Sequence, residues 1–185
     1  MNMENLKKLV LVTGGSGFIA VHCIAKLLQQ GYIVRTTLRS LNRQNEVKEM
    51  LKNGGVTSFD NLSFIETNLT DDKNWDEAVK NCEYVLHIAS PTPIINFKHE
   101  NEMINPAKEG VLRVLKAARD AGVKRVVLTS AYGAVGMGHK NRTTPYTEKD
   151  WSILSDDIHP YQKSKTIAEE TAWNFIKNEG GNLEL

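Results

Sequence analysis

Cysteine is scarce in this chain. Cys23 and Cys82 are the only two among 185 residues, too few and too far apart to suggest the disulfide framework of a small secreted domain. Net charge is almost absent too. The 23 basic and 22 acidic residues leave +1, which gives no electrostatic reason to expect nucleic acid or an anionic membrane as a partner. No apolar run approaches the ~20 residues a membrane span needs. The opening "MNMENLKKLV" has no apolar stretch long enough for a signal peptide. These absences predict a cytoplasmic chain with neither a membrane nor a nucleic-acid partner. The five histidines, His22, His87, His99, His139 and His159, show no metal-ligand spacing. His22 beside Cys23 on a predicted helix reads as packing.

What is present is an ordinary globular composition, 41% hydrophobic and 24% charged, enough for one domain with a substantial core. Apolar runs alternate with helical patterns. "LVLVT" (Leu9–Thr13), "IVRTTL" (Ile33–Leu38), "LSFIET" (Leu62–Thr67), "YVLHIAS" (Tyr84–Ser90) and "RVVLTS" (Arg125–Ser130) read as buried strands. Helices are predicted over Phe18–Gln30, Gln44–Lys52, Asp71–Asn81 and Tyr161–Lys177, and from an Asn105 N-cap with Pro106 at the first position to about Ala121. "NLEL" (Asn182–Leu185) looks like a sixth strand starting. Continuous apolar strands alternating with helices predict an α/β fold, a doubly wound parallel sheet with right-handed crossovers.

The stretch "LVTGGSGFIA" lies between the first strand and the first helix. Gly14 permits a sharp turn, Gly17 lets a pyrophosphate approach the backbone, and Ala20 is small enough for close helix–strand packing. In that context the glycines read as a dinucleotide cradle at a helix N-terminus. A P-loop is disfavoured because no Lys-Ser or Lys-Thr follows. An NAD site usually carries Asp or Glu near the end of the second strand. Here the strand runs into "TTLRSLNR", with Arg39 and Arg43 and no acid. Guanidinium groups suit a 2′-phosphate, so NADP (as NADPH) is the expected cofactor. Arg35, inside the strand, is less suited to reach it.

"YQKSK" places Tyr161 and Lys165 four apart, on one face of a predicted helix. A phenol titrates near ~10 and is a poor acid–base group at neutral pH. A neighbouring ammonium lowers that value.

With these motifs together, the chain resembles the extended short-chain dehydrogenase/reductase family, in its dihydroflavonol-reductase-like branch of aldehyde and ketone reductases. The residues that carry the likeness are "VTGGSGFIA", "GYIVRTTLR", "NLTDDKNWDEAVKNCEYVLHIASP", "ENEMINPAKEGVLRVLKAA", "VKRVVLTSAYGAV" and "YQKSKTIAEETAW". The resemblance implies a Rossmann-like domain over residues 1–185 and transfer of hydride from NADPH to the carbonyl of an aldehyde or ketone. It implies that Thr13, Gly14, Gly17, Phe18 and Ile19 line the pyrophosphate loop and that Arg39 meets the 2′-phosphate. Asn68, where the family usually has Asp, and Leu69 would lie by the adenine. Ala89, Ser90 and Pro91 would line the path to the nicotinamide. Tyr161 would protonate the carbonyl oxygen, and Lys165 would hold the nicotinamide ribose and lower the tyrosine pKa.

One departure stands out. The family commonly has two serines after the threonine of the fifth strand, the second of which polarises the carbonyl. Here the run is "TSAYG", with Ser130 followed by Ala131, so Ser130 is the expected substitute. The family's C-terminal substrate-binding region is also expected to lie outside these residues. Exposed apolar surface on that side would invite association, and the chain is expected as a monomer or homodimer. Tyr132, Met137 and Phe97 are candidate substrate contacts. Two other readings remain open: an epimerase or dehydratase of the same fold, and a dinucleotide-binding protein without catalysis.

Overall fold

The computed structural model describes residues 8–91, 98–140, 143–155 and 157–185. Five strands, β1 (Leu9–Val12), β2 (Ile33–Leu38), β3 (Leu62–Glu66), β4 (Tyr84–His87) and β5 (Arg125–Leu128), form one sheet in the order β3-β2-β1-β4-β5. Every pairing is parallel. Alternate side chains of a strand point to opposite faces, and here both faces are covered. On one face Val10, Val12 and Val34 pack with helices α1 (Phe18–Gln29) and α2 (Gln44–Asn53). On the other, Leu11, Val85 and Val126 pack with α3 (Trp75–Val79), α4 (Asn101–Asp120) and α5 (Pro160–Glu179). This is the doubly wound parallel sheet expected from the alternation of strands and helices.

The strand order reverses between β1 and β4. Chains leaving the carboxyl ends of these two strands turn to opposite faces of the sheet and leave a crevice, the usual binding place in such sheets.

Two helix boundaries differ from expectation. The fourth helix begins at Asn101, and Pro106 lies inside it. Proline removes one intrahelical donor, but the added turn buries Met103 and Ile104, and that apolar burial outweighs the missing bond. The third helix is shorter than its polar pattern suggests and spans only Trp75–Val79. The residues before it satisfy their amides locally: Thr70 N–H donates to the Asn68 side chain at 3.2 Å and Lys73 N–H to that of Asp71 at 3.0 Å. Such Asx turns compete with helix. The Trp75 indole then ties the turn down by donating to the carbonyls of Asn68 and Asp71.

The expected sixth strand is a single parallel bridge between Glu184 and Arg125. Val127 on β5 and Trp173 on α5 remain exposed.

Candidate functional site

The glycine loop is shaped by β1 and β2 together. Gly14 has φ +74°, and a Cβ there would stand 3.0 Å from that of Ala89. Gly15 is packed harder still, since a Cβ would come within 2.3 Å of the Thr36 hydroxyl. Thr37 at the end of β2 holds both residues. Its Oγ1 accepts from Gly14 N–H and its carbonyl from Gly15 N–H, each at 2.9 Å. Gly17 N–H closes the turn onto the Gly14 carbonyl at 2.8 Å. The first intrahelical bond of α1 runs from Val21 N–H to the Gly17 carbonyl, so the amides of Phe18, Ile19 and Ala20 have no partner within the helix. Among the described residues no side chain caps α1, and its first turn holds no acid. The result is an uncapped helix N-terminus with backbone amides and the positive end of the dipole. These residues fit a pyrophosphate.

A cleft of about 700 Å³ opens over this loop. Gly14, Gly17, Phe18, Ile19, Arg39, Asn68, Leu69, Ala89 and Ser90 all line it. The structure therefore gathers most of the cofactor residues expected from sequence, drawn from the ends of β1 to β4. Thr13 lies beneath, fully buried, accepting from Ile88 N–H and Ala89 N–H at 3.0 and 2.9 Å.

The three arginines separate clearly. Arg35 turns away from the cleft, and its guanidinium donates to the carbonyls of Glu77, Ala78 and Lys80, each at 2.9 Å, at the C-terminal end of α3. Arg43 lines the cleft but is held in a fork by Glu46, with both contacts at 2.7 Å, while also donating to Ser16. Arg39 is exposed at the rim, and among the described residues no carboxylate pairs with it. The Asn68 side-chain oxygen accepts from Thr70 N–H, which holds the amide of this cleft residue in a fixed orientation.

Beyond Ala89 the cleft runs into a small hollow. Leu69, Ala89, Ser90 and Pro91 line both spaces, and the hollow continues to His87, Thr129, Ser130, Lys165 and Glu169. α5 supplies the last two. It packs along α4, and Thr166 pins it to the short turn Tyr132–Ala134 through a bond to the Gly133 carbonyl at 2.9 Å. Its N-terminus is capped by His159, whose Nδ1 accepts from Tyr161 N–H. Tyr161 is half-buried and Lys165 buried. Burial pulls the Lys165 ammonium below the ordinary lysine range, and the Glu169 carboxylate opposes that pull.

Sequence reasoning passed over two residues of the hollow. His87 is fully buried, and its pKa is pushed down to about 3, first by burial and then by the Lys165 charge. Its signal was a polar residue inside the apolar run of β4. Glu169 stands one turn beyond Lys165, a spacing that puts both on one helix face. The Ser130 hydroxyl donates to the Glu169 carboxylate, a stronger acceptor than a neutral oxygen. The hydroxyl expected to meet a substrate carbonyl is here directed at Glu169. Of the candidate substrate contacts, Tyr132 is exposed and meets Tyr146 edge to face. Met137 N–H donates to Ser152, and Phe97 lies outside the described residues.

Comparison with known proteins agrees with this geometry. The model of the NAD dependent epimerase/dehydratase family matches residues 10–183. An anthocyanidin reductase of Vitis vinifera is 36% identical over 97% of this chain and 54% of its own length. A cinnamoyl-CoA reductase of Medicago truncatula is 37% identical over 100% of this chain and 57% of its own. The yeast methylglyoxal/isovaleraldehyde reductase, solved with NADPH, superposes with a TM-score of 0.80 at 26% identity, covering 95% of this chain and 54% of that one. The chain thus spans about half the length of the relatives it matches.

Proposed function

Because this chain belongs to the NAD dependent epimerase/dehydratase family, we propose that it is the dinucleotide-binding and proton-donating part of an NADPH-dependent reductase acting on the carbonyl of an aldehyde or ketone. The observation that carries this reading is the continuity of the two spaces. The same four residues wall the end of the dinucleotide cleft and the hollow that holds Lys165. The reactive end of a dinucleotide lying in the cleft would so be delivered to Lys165 on α5, one turn along the helix from Tyr161.

The cofactor, when bound, supplies the hydride that reduces the carbonyl carbon. The chain's residues do the rest. Amides at the start of α1 hold the pyrophosphate, and Arg39 binds the 2′-phosphate that distinguishes NADP from NAD. Tyr161 gives its phenolic proton to the carbonyl oxygen. The Lys165 ammonium, one turn along the helix, stabilises the phenolate that remains. It also binds the nicotinamide ribose. Ser130 completes the proposed set by orienting its neighbours, its proton being held by Glu169. The kinship of the chain to reductases of anthocyanidin, cinnamoyl-CoA and methylglyoxal supports a small carbonyl compound as substrate.

The test is NADPH oxidation against a panel of aldehydes, diketones and flavonoid ketones, with Tyr161→Phe in parallel. The reading expects turnover with at least one carbonyl and a loss of at least ~10²-fold in the variant. Full turnover in Tyr161→Phe would remove the proton-donor assignment. Tighter binding of NAD than of NADP would remove the role of Arg39.

A further inference from the structure

Lys165 presents a physical conflict. The proposed chemistry, on which this inference rests, needs it as an ammonium, yet it sits buried where charge is disfavoured. A negative group in the hollow would offset that penalty and favour the charged form. The groups facing it come from four elements. α4 contributes Ala107 and Val111, which are apolar; β5 and its end contribute Leu128, Thr129 and Ser130, which are uncharged; β4 contributes His87. A neutral imidazole adds no charge and a protonated one would repel the ammonium. On α5 itself Tyr161 stands one turn before Lys165 and Glu169 one turn after. Among the described lining residues, Glu169 is the sole carboxylate.

That carboxylate is fixed from two directions. One oxygen accepts from the Ser130 hydroxyl and the other from the Trp173 indole N–H at 3.4 Å. An ionised carboxylate only accepts, and a serine hydroxyl has a single proton. The Ser130 proton is therefore committed to Glu169, and only oxygen lone pairs remain for the hollow. Ala131 supplies no second hydroxyl. We propose that Glu169 is a positioning residue that keeps Lys165 protonated, and that Ser130 serves it by holding the carboxylate in place.

Two facts support the assignment independently. The i, i+4 spacing places the carboxylate and the ammonium on one face of a rigid helix, and both line one narrow hollow. Among the described residues, Glu169 is also the one group whose charge raises the Lys165 pKa against its burial. Because the arrangement is built from one helix and the end of its neighbouring strand, it exists before any ligand arrives.

The experiment measures the amine directly, without turnover. Lys165 is labelled competitively with acetic anhydride across pH 6 to 11 on the order of half-unit steps, and the modified peptide is quantified by mass spectrometry to give a titration midpoint. Glu169→Gln is expected to lower that midpoint by about one unit, equivalent to about tenfold more reactive amine at neutral pH. Ser130→Ala is expected to move it the same way by less, and Glu169→Asp to leave it within a few tenths. An unchanged midpoint in Glu169→Gln overturns the proposal. If that variant loses its cooperative unfolding transition, Ser130→Ala decides, and no shift there overturns it. Absence of NADPH oxidation would count against the reductase reading while leaving the midpoint shift in place. An unchanged midpoint with turnover intact would count against Glu169 alone.

Discussion

The Thr13 hydroxyl and Nδ1 of His87 lie 2.9 Å apart in the fully buried floor of the site. Thr13 already accepts two backbone amides, which occupies both of its lone pairs. Its own proton must therefore go to His87. Nδ1 is then the acceptor, and the ring is neutral with its proton on Nε2. That nitrogen is buried and has no hydrogen-bond partner among the described residues. Nitrogen-15 NMR of the imidazole should show the Nε2–H tautomer, unchanged between pH 8 and pH 5 on the scale of about half a unit in its midpoint. A ring that titrates in that interval would contradict the assignment.

The same histidine sets a pH dependence of stability. Its folded pKa, about 3, is below the unfolded value of ~6.5. Between those values the unfolded chain binds the extra proton, so stability is fully present above the unfolded pKa and falls as pH drops toward the folded one. The slope contributed is at most about 1.4 kcal/mol per pH unit. Urea denaturation at pH 7 and pH 4 should show the loss, and His87→Gln should flatten it.

Gly15 has no room for a methyl group. A Cβ would reach the Thr36 hydroxyl, which donates to the Val12 carbonyl at 2.7 Å. Gly15→Ala must either displace that side chain or shift the loop. It should destabilise the chain by ~1–3 kcal/mol, as overpacking of a tight site does. It should also weaken dinucleotide binding, because the same loop carries the amides. Urea denaturation and a fluorescence titration with NADPH check the two effects.

Arg39 and Arg35 are expected to act on different properties. Losing a charge-assisted bond costs ~1.5–3 kcal/mol, so Arg39→Ala should weaken NADPH binding by ~10–100-fold and leave NADH within about threefold. Equal losses for both cofactors would contradict a 2′-phosphate role.

Arg35→Ala should leave that preference alone. It removes the guanidinium from three carbonyls at the end of α3, with an expected cost of ~1–3 kcal/mol in stability. All three bonds come from one nitrogen, Nη1, so Arg35→Lys should restore part of the loss, because an ammonium also offers three donors from one point. Thermal unfolding with and without NADPH separates this effect from cofactor binding.

The sequence by itself determined the architecture, the cradle and the location of the candidate dyad. Each depends on residues close together in the chain. Apolar runs alternating with helical patterns require a parallel sheet wrapped on both faces. Gly14 and Gly17 between strand and helix require a turn that exposes amides. The spacing of Tyr161 and Lys165 places them on one helix face. Even Arg35 was set apart from Arg39 by its place inside a strand.

Tertiary structure alone decided what depended on distant partners. The start of α4 moved to Asn101 because Met103 and Ile104 bury against other elements, which outweighs the local signal of Pro106. His87 is neutral because the fold buries it beside the Lys165 charge, and Thr13, 74 residues away, sets which ring nitrogen accepts. The Ser130 proton belongs to Glu169, 39 residues on, and Lys165 meets an apolar wall from α4. A hydrogen-bond partner or a desolvated charge is set by which surfaces the fold brings together. Periodicity along one segment carries no record of it.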